Sequence, residues 1–135
     1  MKKQLTLDIE CFYDYFLIKF TGVESRITRD FEIHAGAMLD CSRVRSILNS
    51  NTIITFNGNG YDVPMLTLAL TGADCTRLKA ASDWLIVGNN TSWDFYDRYE
   101  LTRPNWDHID LIEVAFGQGS LKLYGGRLHS KKLQD

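Results

Sequence analysis

Asp8 and Glu10 are the first residues whose type and spacing could do chemistry. They lie in the run from Gln4 to Glu10, which alternates: Leu5, Leu7 and Ile9 point one way, Thr6, Asp8 and Glu10 the other. A strand of that period puts both acids on one face, with Cα atoms about 6.5–7 Å apart. Aspartate and glutamate are disfavoured in strands, and two like charges so close repel unless a cation neutralises them. Oxygen donors on a rigid strand suit Mg²⁺ or Mn²⁺. The same alternation also describes an ordinary strand face turned to water.

A second constellation is Asn57-Gly58-Asn59-Gly60-Tyr61-Asp62, placed where a short apolar run, Thr52 to Phe56, gives way to a helical pattern. Sites in open α/β sheets gather outside the carboxyl ends of strands. Glycines let backbone approach a ligand closely. Asp62 falls in the first turn of the expected helix, where the dipole favours an ionised carboxylate. Asn-Gly repeats are equally ordinary turn chemistry. A third candidate is Asp110 in His108-Ile109-Asp110, either a supporting contact beside a site or the N-cap of a helix.

The elements that must position these groups can be read in order. Residues 4–10, 14–21 and 27–33 read as three strands, with short polar connections that suggest an antiparallel meander. In the third, Ile27, Arg29, Phe31 and Ile33 should share a face. Asp40 offers an N-cap to a helix carrying Val44, Ile47 and Leu48. The strand Thr52–Phe56 follows, then a helix with Pro64 tolerated in its first turn and Gly72 as its stop. Residues 76–87 read as another helix. Residues 93–106 interleave aromatics (Trp93, Tyr96, Trp106 among them) with charges and show no clear period. His108–Leu111 reads as a short strand entering a helix, and 120–128 as a last helix. The expected architecture is an α/β domain with a mixed sheet and flanking helices.

The chain has 135 residues, 44% apolar and 24% charged, which suits one globular domain spanning 1–135 and excludes coiled coil, collagen and disulfide miniprotein. Aromatics at 12% exclude a disordered chain. Net charge is −2, which excludes a general nucleic-acid glue. From residue 122 on, Lys122, Arg127, Lys131 and Lys132 face one acid, so that segment carries +3 and residues 1–121 carry −5. Cys11, Cys41 and Cys75 are odd in number and form no zinc spacing; reduced thiols in the cytoplasm are expected. No apolar h-region follows Met1-Lys2-Lys3, and no apolar run approaches a membrane span.

Asp8-Ile9-Glu10 and Asn57-x-x-x-Tyr61-Asp62 resemble the first two motifs of the DEDD-type 3′–5′ exonucleases, a superfamily with a ribonuclease H-like fold that includes polymerase proofreading domains. The first motif is Asp-x-Glu on the first strand, the second Asn-x-x-x-(Phe/Tyr)-Asp at a strand-to-helix junction. Both match residue for residue, about 50 positions apart. The stretch His108 to Leu111, with Ser120 to Leu123 after it, is similar to the region before the third motif in polymerase-B-like and phage exonucleases. The third motif itself, Tyr-x-x-x-Asp or His-x-x-x-x-Asp, is missing: Tyr124 has Leu128 where aspartate is required, and His129 has Gln134. The chain is thus similar to a C-terminally truncated exonuclease domain, a split product or a relative that has lost activity.

The resemblance implies hydrolysis of DNA 3′ ends to nucleoside monophosphates by two divalent ions, Mg²⁺ or Mn²⁺, about 3.5–4 Å apart. Asp8 would bridge both ions, Glu10 would hold the one binding the attacking water, and Asp62 the one at the leaving 3′ oxygen. Asn57 and Tyr61 would contact substrate, and Lys122 and Arg127 would follow phosphates. The aromatics of 93–106 could stack on bases or serve the core. The substrate would be single-stranded or frayed DNA, with a polymerase or another replication protein as partner, in a phage or other replication context. The alternatives are an incomplete module that only binds protein or nucleic acid, and another nuclease of the same fold class with a similar acidic centre.

Overall fold

A computed structural model describes residues 2–113 of the chain. Three antiparallel strands open it: β1 (Gln4–Phe12), β2 (Tyr15–Gly22) and β3 (Thr28–Ile33). Helix α1 (Cys41–Ser50) leads to β4 (Thr52–Thr55), which runs parallel to β1. A 3₁₀ turn at Gly58–Gly60 precedes α2 (Asp62–Ala69), α3 (Cys75–Ile86) and α4 (Ser92–Arg98). The last described strand, β5 (His108–Asp110), is parallel to β4. Among the described residues the strand order is β3-β2-β1-β4-β5, an α/β fold with a five-stranded mixed sheet and β1 at its centre.

Burial on β1 follows the alternation read from the sequence. Leu7, Ile9 and Cys11 are buried, while Asp8 and Glu10 are half-buried on the other face. The buried residues join Phe16, Ile18 and Phe20 of β2 and the apolar sides of the helices in one core. Helix α2 is apolar almost all round and buried almost throughout, as expected of a helix with protein on every side. Pro64 lies in its first turn, where a missing N–H breaks no helical bond. Gly72 follows the helix at φ +92°, a backbone conformation that glycine adopts without steric penalty.

Among the described residues, three helices start on side-chain caps. Asp40 accepts from Arg43 N at 3.2 Å, Asp74 from Arg77 N at 2.9 Å, and Thr91 from Asp94 N at 3.2 Å. Each satisfies one of the donors that a helix start leaves free. The Thr91 cap begins α4, where the sequence shows no clear period. Phe95 of that helix is fully buried and lies between the rings of Trp84, Tyr96 and Tyr99. Tertiary packing of one aromatic, rather than a repeating stripe, holds this short helix. Ile27 is a correction: it lies in the β2–β3 connection, is 65% exposed, and does not share the buried side of Phe31 and Ile33. Arg29 of β3 is also exposed. The expected helix at 120–128 lies outside the described residues.

Candidate functional site

Strand register places the acidic motif at the carboxyl end of the parallel pair. Thr6 of β1 aligns with Ile54 of β4, so Asp8 is level with Phe56 and Glu10 reaches beyond the end of β4. The Asn57–Asp62 segment leaves the sheet at the same end, because β1 and β4 are parallel neighbours. On the other side of β1, Lys19 stands directly opposite Asp8 and Leu17 opposite Glu10. One strand further, Asp30 pairs with Lys19 and Glu32 with Leu17. Cross-strand partners share a face, so Asp8, Glu10, Asp30 and Glu32 lie on one face with Lys19 among them. Lys19, Asp30 and Glu32 are not evident from the Asp-x-Glu pattern; the register of the meander brings them alongside.

The Asn57–Gly60 turn is built from both ends. Asn57 adopts left-handed backbone, φ +62°, and leads directly into the 3₁₀ turn. Gly58 packs on Thr55: a β-carbon added there would lie 2.6 Å from Thr55 Cγ2 and closer still to its hydroxyl. Thr55 Oγ1 in turn meets His108 Nε2 at 2.6 Å. Burial of His108 pulls its pKa below the ordinary imidazole value, against the opposing pull of Asp110 and Glu113. The uncharged ring is therefore the resting form near pH 7.

Asp110 is 4% exposed, and its carboxylate accepts three backbone N–H groups. Oδ1 takes Asn57 N at 2.7 Å and Ile112 N at 3.2 Å, and Oδ2 takes Asn59 N at 3.0 Å. Asp110 caps the helical turn at 111–113, one of its two sequence readings, and its carboxylate also holds the loop between β4 and α2. Asn59 Nδ2 adds a bond to Glu113 Oε1 at 2.9 Å.

Asp62 opens α2, as the sequence suggests, and is 1% exposed. Tyr61 immediately before it is half-buried, and its hydroxyl pairs with Ser82 Oγ at 2.7 Å. That bond ties the start of α2 to α3. Asn57 is half-buried at the head of the turn, while Lys122 and Arg127 lie outside the described residues. Of the aromatics considered for stacking, Tyr96 is buried and Trp106 packs against the core. Trp93 is exposed beneath Arg103, whose guanidinium carbon lies 3.8 Å from the ring centre.

The donor set of Asp8 and Glu10, two half-buried carboxylates on one strand face, has the chemistry a hard divalent cation needs. Among the described residues, no three or more His, Cys, Asp or Glu form a group arranged to hold a metal ion. The three cysteines are free; burial raises Cys11 to about 11, so its thiol stays protonated near neutral pH. Among the described residues no helix is long and apolar enough to cross a membrane. No protein-family model matches the chain, and no curated protein or solved structure matches it significantly.

Proposed function

We propose that this chain is a metal-dependent 3′–5′ exonuclease domain of ribonuclease H-like fold, acting on DNA 3′ ends. One observation carries the reading. The strand bearing Asp8 and Glu10 is the parallel neighbour of the strand that leads to Asn57 and Asp62, and both motifs lie toward the same sheet end. Strand ends of that kind are where α/β folds place their sites.

Mg²⁺ or Mn²⁺, when bound, would polarise the scissile phosphate and lower the pKa of a bound water. Asp8 and Glu10 would hold the cation from the strand face, and Asp62 would add a carboxylate from the first turn of α2. Asn57, at the head of the turn, is the polar side chain available for a sugar or phosphate oxygen. Trp93 offers an exposed ring for base stacking, with Arg103 above it. Single-stranded or frayed DNA is the substrate this combination suits, and a replication protein would supply processivity to a chain of net charge −2.

A second reading, a non-catalytic module that binds nucleic acid or a replication protein, is favoured by one sequence observation. No Tyr-x-x-x-Asp or His-x-x-x-x-Asp occurs in the 135 residues given. A labelled oligonucleotide with Mn²⁺ separates the two. Release of mononucleotides from the 3′ end, abolished by Asp8→Ala, is the outcome expected of the enzyme. Metal-independent DNA binding without cleavage is expected of the module.

A further inference from the structure

We infer that Asp110 is a positioning residue for the proposed site, acting through the Asn57–Asp62 segment and itself touching neither metal nor substrate. The inference rests on the reading of Asp62 and Asn57 as site residues and adds a fourth acid with a different task.

Asp110 ends β5, is 4% exposed, and grips Asn57 N and Asn59 N from a position more than 50 residues away in sequence. Those two donors bracket Gly58, whose close approach to Thr55 leaves the turn no room to sink further. From there the chain is continuous. Gly60 N donates to Asn57 O and Tyr61 N to Gly58 O, both at 3.2 Å, and Met65 N donates to Tyr61 O at 3.0 Å. Asp62 lies between the last two bonds, at the start of α2. Releasing the turn would free the segment that aims Asn57 and Asp62.

A carboxylate is needed for this task. Both oxygens are used, one for Asn57 and Ile112, the other for Asn59. An asparagine in the same place keeps the shape but sets an N–H₂ group against a backbone N–H donor. Groups that orient metal ligands from behind typically change metal affinity by roughly 10–100-fold when removed.

The test compares the intact chain with Asp110→Asn and Asp74→Ala, titrating Mn²⁺ by calorimetry. Asp74 caps α3 through Arg77 N, so its loss reports a missing helix cap outside the site. The expected result is Mn²⁺ binding by the unaltered chain, a loss of roughly 10–100-fold in Asp110→Asn, and no change in Asp74→Ala. Backbone hydrogen exchange of residues 56–62 in the unaltered chain supplies a second readout, decisive if Asp110→Asn does not fold. Mg²⁺ should slow that exchange, because a site that the turn helps to form must stabilise the turn in return. Equal Mn²⁺ affinity in Asp110→Asn, an equal loss in Asp74→Ala, or unchanged exchange on adding Mg²⁺ overturns the positioning role and leaves the exonuclease reading standing. If the unaltered chain binds no Mn²⁺, that reading falls and the inference falls with it.

Discussion

Gly58 rests directly on the side chain of Thr55, closer than any residue with a β-carbon could come. The contact spans only three positions, yet it fixes how the turn leaves β4. Thr55 is buried and its hydroxyl is engaged with His108, so it has little freedom to withdraw. Gly58→Ala should therefore destabilise the fold by about 1–3 kcal/mol, the usual penalty for forcing extra volume into a packed place. Urea unfolding followed by circular dichroism checks this. A midpoint equal to that of the unaltered chain would mean that the turn is looser than described.

His108 sets a pH dependence. Its folded-state pKa is depressed, by burial first, relative to the unfolded imidazole near 6.5. Between the two values the unfolded chain binds the extra proton and the folded chain does not, so stability rises with pH across that window. The melting temperature should thus fall as pH drops below about 6.5, and His108→Gln should flatten that part of the curve. Thermal melts from pH 7.5 to pH 5 on both proteins provide the measurement.

Cys11 should be chemically silent in the folded protein. Burial on β1 raises its thiol to about 11, so at pH 8 only a trace is thiolate, the form that reacts. Timed alkylation with iodoacetamide should label it only after denaturant is added. Rapid labelling of Cys11 in the native chain would contradict its buried place beside α3.

Tyr61 tests whether a motif residue works through packing or through substrate. Its hydroxyl pairs with Ser82, which is 3% exposed. Tyr61→Phe removes that bond, leaving Ser82 the Cys11 thiol as its remaining neighbour, and should cost about 1 kcal/mol of stability. Ser82→Ala with Tyr61→Phe should restore part of the loss, since removing both partners leaves no hydroxyl short of that bond. A double-mutant cycle in urea reads the coupling. If Tyr61→Phe instead leaves stability unchanged and raises the KM for a single-stranded oligonucleotide, the hydroxyl serves the substrate.

Asp8 carries the proposed activity most directly. Asp8→Asn preserves size on the strand face but removes charge, and Mn²⁺-dependent release of mononucleotides should fall at least about 100-fold, on the scale of losing a group that acts on the transition state. Stability should stay nearly constant, since the side chain is only half-buried. Cleavage assays and urea melts on the same preparation distinguish a chemical from a structural loss.

Local pattern in the sequence determined the parts of this protein that depend on neighbouring residues. The period-2 alternation of Leu5 to Glu10 is enough to put Asp8 and Glu10 opposite the core, because a strand has only two faces. Asp40 announced α1, and Pro64 and Gly72 marked the ends of α2, because caps and breakers act within a turn or two. Helix α4 was hidden, since seven residues show no stable period and buried Phe95 anchors them against Trp84 of α3. Strand order, the register that sets Lys19 across from Asp8, and the grip of Asp110 on Asn57 and Asn59 were decided only by tertiary structure. Those relations join residues that are up to 55 positions apart, and nothing in the pattern of either segment specifies which distant partner completes its hydrogen bonds.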